Sequence, residues 1–232
     1  MADEKVVLIS GANRGIGAAA AEAFAAGGWR VSLGMRSPVL PAWADENRHQ
    51  AFGYDATDPK AGERWVAAAL ARFGRIDAII ANAGVMVAKT VIEAEDEDLD
   101  AMLTVNVRAP RQLARAAWEP LAAGGQGRII IIASLSGKRV KSARSGTYSV
   151  SKFAAVGLAH ALRHAGFDQG IRATAVCPGF VATDMARGLT DRDDRLMTSP
   201  DDLARIIVML VSLPNEASVA EFAINCQLEE SF

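Results

Sequence analysis

The sequence predicts an α/β protein, a doubly wound parallel sheet of about seven strands with helices on both faces. Three observations carry that prediction. Short apolar runs alternate with longer helical patterns along the chain. Glycine or proline punctuates the ends of most of these segments. A glycine-rich turn joins the first apolar run to the first helical stretch. Half of the 232 residues are hydrophobic, ample for a sizeable core. With no internal repeat, low-complexity tract or linker, residues 1–232 read as one domain.

Each element follows in order. Residues 6–9 form an apolar run that ends at Ser10-Gly11, and residues 16–26 are Ala-rich and helical up to Gly27-Gly28. Residues 29–35 read as the second strand and 51–54 as the third. The 37–50 stretch between them holds Pro38 and Pro41, so any helix there is short. Thr57 is expected to cap a helix that runs to residue 73, with Pro59 in its first turn. Residues 76–80 form a buried strand, followed by Ala81-Asn82-Ala83-Gly84 as a turn. Acidic residues at 93–100 mark a helix start, where negative charge suits the dipole. That helix continues in pieces to residue 123 and stops at Gly124-Gly125. Residues 128–133 are a β-branched strand, 147–165 a helix and 171–177 a strand closed by Pro178-Gly179. Ser199-Pro200-Asp201-Asp202 opens a last helix, and 222–226 is a short terminal strand.

Composition excludes several classes. A formal net charge of −2 leaves no general basic field for nucleic acid. The two cysteines, Cys177 and Cys226, lie in apolar runs and read as small buried hydrophobes. His49, His160 and His164 lack the companion ligands of a metal site, so no metal is expected. No apolar run of about 18 residues predicts a membrane span. The short polar start does not read as a secretory signal. The expectation is a cytoplasmic protein of a reducing compartment.

Two features carry chemistry. The turn Ser10-Gly11-Ala12-Asn13-Arg14-Gly15-Ile16-Gly17 has the spacing G-x-x-x-G-x-G between a strand and a helix. Its glycines let a pyrophosphate approach the backbone, and the helix N-terminus offers free N–H groups. Tyr148 and Lys152 lie one helical turn apart and share a face. A neighbouring ammonium favours the phenolate, which predicts a phenol pKa lowered from about 10 toward neutrality. Such a phenol exchanges a proton with an alcohol or carbonyl oxygen.

These motifs, with Asp55, Asn82-Ala83-Gly84, Asn106, Ser134 and Pro178-Gly179-Phe180-Val181-Ala182-Thr183, stand in an order that resembles the short-chain dehydrogenase/reductase family. The resemblance runs from Lys5 to about Pro214 and implies a Rossmann-type fold. It implies that Tyr148 is the general acid/base and that Lys152 binds the nicotinamide ribose and lowers the Tyr pKa. It implies that Ser134 holds the substrate oxygen and that Asn106 supports a water relay to Lys152. The implied cofactor contacts are Gly11, Asn13, Arg14, Gly15 and Ile16 in the turn, Asp55 and Ala56 beside the adenine, and Asn82, Ala83 and Gly84 after the central strand. Pro178, Gly179, Val181 and Thr183 would flank the nicotinamide. Ser136 is the alternative to Ser134, because the segment before Tyr148 is one residue longer than the family usually has.

Cofactor choice turns on the end of the second strand. An acidic residue there would accept from the adenosine ribose and repel a 2′-phosphate. This chain has Met35-Arg36, with Arg14 as a second cation, which predicts NADP(H) over NAD(H). Residues 185–198 read as a short, polar substrate lid, which points to a small substrate. Gly125 and Gln169 stand where docking arginines for carrier-bound ketoacyl chains would be expected, so that subclass is disfavoured. The expected reaction is hydride transfer between NADP(H) and a small carbonyl or alcohol. The rival reading is a catalytically silent dinucleotide-binding sensor or scaffold; a cofactor-retaining epimerase or dehydratase is a variant within the enzyme class. Apolar residues such as Trp118, Val156 and Leu158 sit on the helices that pair between subunits in the family, which implies a homodimer or homotetramer.

Overall fold

The computed structural model describes residues 4–228. Residues 1–3 of the short polar start, and residues 229–232, lie outside them. The strands are β1 (Val6–Ser10), β2 (Arg30–Met35), β3 (His49–Gly53), β4 (Ala78–Ala81), β5 (Arg128–Ile132), β6 (Arg172–Pro178) and β7 (Glu221–Ile224). They pair in parallel in the order β3-β2-β1-β4-β5-β6-β7. The chain therefore reverses direction across the sheet between β3 and β4, and the crevice of such a sheet opens at the carboxyl ends of β1 and β4.

Alternate residues of β1 enter opposite cores. Val6 and Leu8 join one cluster, Val7 and Ile9 the other, and all four are fully buried. That is why the strands read as continuous apolar runs rather than as alternation. Helices α1 (Gly15–Ala26) and α8 (Pro200–Ser212) pack on one face. On the other lie α2 (Ala61–Phe73), α4 (Ala109–Ala116), α5 (Trp118–Ala123) and α6 (Gly146–Gly166). Of two further helices, α7 (Asp184–Arg187) borders the crevice and α3 (Asp96–Leu103) packs against α6.

Several boundaries differ from expectation for local reasons. Thr57 does not cap α2: its N–H and hydroxyl both donate to Asp55 Oδ1, at 2.9 and 2.8 Å, and the helix starts four residues later. The 37–50 stretch holds turns and no helix. The third strand begins at His49, and the last ends at Ile224, so Cys226 lies beyond it. The acidic start is borne out at α3, where Glu95 and Asp98 form a reciprocal cap. Between α3 and α4 the helix widens into a π turn, Thr104–Arg108, which carries Asn106. Ser199 caps α8 by accepting from the Asp201 N–H at 3.1 Å. Leu113, Leu121 and Val156 pack into their own sheet, whereas Val150 and Phe153 on α6 are exposed.

Candidate functional site

A cleft of about 1590 Å³ runs along the carboxyl edge of the sheet. Typical small-molecule sites occupy about 300–1,000 Å³, so there is room for a dinucleotide and a second ligand. Gly11, Asn13, Arg14, Gly15, Ile16, Arg36, Asp55, Ala56, Asn82, Ala83, Gly84, Ser134, Tyr148, Lys152, Pro178, Gly179, Val181 and Thr183 all line it. Of the expected site residues, Asn106 alone is not in the lining.

The glycine turn is locked to β4. Gly11 and Gly15 hold φ of 66° and 55°, values that favour glycine. Gly17 packs so closely that a Cβ there would lie 2.3 Å from the Gly11 carbonyl oxygen and 2.5 Å from Asn82 Nδ2. Asn82 donates from Nδ2 to the Ser10 and Gly11 carbonyls at 3.0 and 3.2 Å. Ser10 Oγ accepts from the N–H groups of Asn82 and Ala83, both at 3.0 Å. This arrangement leaves a cradle of bare backbone at the N-terminus of α1, which fits a pyrophosphate.

At the far end, Arg36, Asp55, Trp43 and Tyr54 line the cleft. Hydrogen bonds from Thr57 hold the Asp55 carboxyl below its ordinary range, with help from the positive charge of Arg36. Arg14 has a different partner. Its Nη1 lies 3.1 Å from Asp184 Oδ2 in an exposed ion pair across 170 residues of sequence.

Tyr148 and Lys152 stand at the other end, both buried. Lys152 Nζ donates to the Ile132 carbonyl at 2.9 Å and lies 5.6 Å from the Tyr148 ring centroid. The expected lowering of the phenol toward neutrality is not what the protein's own atoms produce. Burial pushes Tyr148 up to about 12, against a hydrogen bond with the Ser134 side chain that lowers it. Burial likewise pulls Lys152 down to about 8. Desolvation disfavours the charged form of each group and is the largest cause of both shifts. Ser134 is also the residue in contact with the phenol, while Ser136 sits in a 3₁₀ turn and donates its N–H to Ser134 Oγ at 3.1 Å.

Asn106 is a brace behind this end of the cleft. Its Oδ1 accepts from the Val85 N–H at 2.9 Å. Its Nδ2 donates to the Val85 carbonyl at 3.0 Å and to Ser151 Oγ at 2.9 Å. The side chain thus ties the segment after β4 to α6, one residue before Lys152. A Cβ on Gly84 would meet Asn106 Oδ1 at 3.3 Å and Lys152 Nζ at 3.7 Å, which places all three around one small space.

The polar residues of the lid largely satisfy one another. Arg187 pairs with Asp184 and Asp194, and Arg195 with Asp193. Sequence reasoning missed Trp43 and Tyr54 at the end lined by Arg36 and Asp55, and Arg139, Lys141 and Arg144 elsewhere in the lining. The run of four cations within residues 138–144 was a visible signal for the latter. His160 Nε2 lies 2.5 Å from Glu221 Oε1, and Lys138 pairs with the same carboxylate. Among the described residues no cluster could hold a metal ion, and no helix is long and apolar enough to cross a membrane.

Comparison with known proteins agrees with this geometry. The profile of the short chain dehydrogenase family matches residues 5–194. Agropine synthesis reductase of Rhizobium rhizogenes is 36% identical over 230 residues, covering 97% of this chain but 53% of its own length. The chain thus spans about half of that relative. Oxidoreductase UcpA of Salmonella typhi is 30% identical over 238 residues, covering 98% of this chain and 89% of its own. An alcohol dehydrogenase from the archaeon Thermococcus sibiricus, solved with 5-hydroxy-NADP, superposes with a TM-score of 0.82 at 25% identity, covering 95% of this chain and 96% of that one. The fold, the glycine turn, the phenol–ammonium pair and these matches converge: the chain belongs to the short-chain dehydrogenase/reductase family of oxidoreductases.

Proposed function

We propose that this chain interconverts a small carbonyl compound and its alcohol with NADP(H), with Tyr148 as general acid/base. The observation that carries this reading is the meeting of Tyr148, Ser134 and Lys152 at one end of the cleft whose other end starts at the glycine cradle.

The glycine turn would receive the pyrophosphate, and Arg36 the 2′-phosphate. Arg14 contributes less to that choice than its sequence position implies, because Asp184 already engages it. The NADP-type ligand of the archaeal relative supports the same preference. Bound NADPH would supply the hydride to the carbonyl carbon. Tyr148 would give its phenolic proton to the carbonyl oxygen, and Ser134 would hold that oxygen beside it. The phenol's high intrinsic pKa suits a group that must arrive protonated. The ammonium of Lys152 would stabilise the phenolate left behind, from which solvent restores the proton. In the reverse direction the same phenolate would accept the alcohol proton.

Asn106 is read as a positioning residue, since its polar atoms are engaged by Val85 and Ser151. We read residues 1–232 as one catalytic domain with its lid at 185–198. The exposed Val150 and Phe153 on α6 favour a homo-oligomer through that helix, which light scattering would test. The test of the main reading is NADPH oxidation with a panel of aldehydes and ketones. Nucleotide binding without turnover of any of them would instead support a silent binding protein of the same fold.

A further inference from the structure

We propose that the substrate carries an anionic group, a carboxylate or a phosphate, held by Lys141 and Arg144 at the mouth of the cleft beside Tyr148. The proposal rests on the reading of Tyr148 as the proton carrier for a carbonyl and names the class of carbonyl compound.

The argument starts from where charges lie along the cleft. Among the described residues the carboxylates in its lining are Glu22 of α1, Asp55 after β3, Asp184 of α7 and Asp201 of α8. The two walls that flank Tyr148 are the segment after β4, residues 82–88, and the segment 134–145. They contribute Arg139, Lys141 and Arg144 to the lining and no carboxylate.

Lys141 and Arg144 then stand out by their partners. Most cations near the site face a carboxylate: Arg14 faces Asp184, Arg187 faces Asp184 and Asp194, and Lys138 faces Glu221. Lys141 Nζ instead donates to the side-chain oxygen of Gln227 at 3.3 Å, and Arg144 donates from Nε and Nη2 to the Ala88 carbonyl at 3.3 and 3.1 Å. Both partners are neutral. Among the described residues Glu93 feels the charge of Arg144, but its carboxylate accepts from the N–H and hydroxyl of Thr90. Among the described residues, then, neither cation is in ion-pair contact with a carboxylate, and both stand at the rim of a cleft whose low-dielectric walls focus the field.

Position sets the size of the compound. Arg144 lies in the 3₁₀ turn that runs directly into α6, four residues before Tyr148. Four residues of helical rise span about 6–8 Å of backbone, which sets the scale for a compound of a few carbons. The contact to Ala88 stretches Arg144 from one wall to the other. Among the described residues Nη1 has no hydrogen-bond partner, which leaves it to engage a planar anion.

The test uses the whole protein with NADPH and matched carbonyl compounds: a neutral ketone and analogues bearing a carboxylate or a phosphate two to four carbons away. The expected result is a kcat/KM at least about tenfold higher for one anionic series than for the neutral compound. Which series gains distinguishes carboxylate from phosphate. In Lys141→Gln/Arg144→Gln the ratio of anionic to neutral kcat/KM falls toward one, and Lys141→Arg/Arg144→Lys restores most of it. Equal or better use of the neutral compound overturns the inference while leaving the carbonyl-reductase reading intact, and so does a preference that survives the double Gln variant. If no compound is turned over, that reading fails, and calorimetric binding to the NADPH-loaded protein decides the inference alone. Anionic analogues that bind no tighter than the neutral one then reject it.

Discussion

The glycine turn and the 138–145 segment line the same cleft, yet they are held by different forces. In the turn, backbone meets backbone. Gly17 has no room for one more carbon, and Ser10 and Asn82 tie the loop to β4 with four hydrogen bonds to or from main-chain groups. At the mouth, the exposed Lys141 and Arg144 reach neutral oxygens from a loop and a short 3₁₀ turn. A dinucleotide presents the same pyrophosphate to every enzyme that binds it, so a rigid steric cradle suits it. Substrates differ, and a loop that sets charge without fixing backbone can change with little effect on the fold.

That contrast breaks first at Gly17. Gly17→Ala must displace either the Gly11 carbonyl or the Asn82 side chain, so stability falls by roughly 3 kcal/mol or more. Chemical denaturation reads the loss, and a variant as stable as the wild type contradicts the close packing. Asn106→Ala comes next. It removes the partner of the Val85 N–H and carbonyl and of Ser151 Oγ, which costs roughly 2–3 kcal/mol. Asn106→Asp, which keeps the acceptor, should recover part of it.

Lys152 gives a smaller effect with a definite sign. The unfolded ammonium keeps its proton to its ordinary 10.5, whereas the buried one releases it near 8. Between those values the unfolded chain binds more protons, so this group makes stability rise with pH. Relative to Lys152→Met, the wild type should gain roughly 2 kcal/mol from pH 8 to 10. A flat difference across that window contradicts the lowered value. The mildest test compares two arginines. Arg36→Ala should weaken NADPH binding about tenfold while sparing NADH. Arg14→Ala, losing only an exposed ion pair with Asp184, should cost at most about 1 kcal/mol in stability. Equal losses of NADPH affinity in both variants would restore the two-cation account of cofactor choice.

The fold was legible because its signals are local. Apolar runs, Gly and Pro breaks and the Ser199 cap are each set by a few neighbouring residues. The Thr57 cap failed because a closer competitor, Asp55, takes its hydroxyl. Most of the cleft lining was legible for the same reason, as most of its positions follow a strand end. What stayed hidden depends on contacts between distant segments. The Arg14–Asp184 pair joins residues 170 apart, and the burial that raises Tyr148 arises only once α6 lies across the sheet edge. Trp43 reaches the Arg36–Asp55 end of the cleft from a loop that the strand and helix patterns leave unmarked.

Tyr148→Phe tests the central claim most directly, because it removes one oxygen and keeps the ring that fills the site. With NADPH and a carbonyl compound the wild type turns over, the variant should bind NADPH within about threefold of the wild type and lose at least about 100-fold in kcat. A variant whose kcat stays within a few-fold of the wild type would mean that the proton reaches the substrate by another route, and the assignment of this phenol as the acid would be wrong.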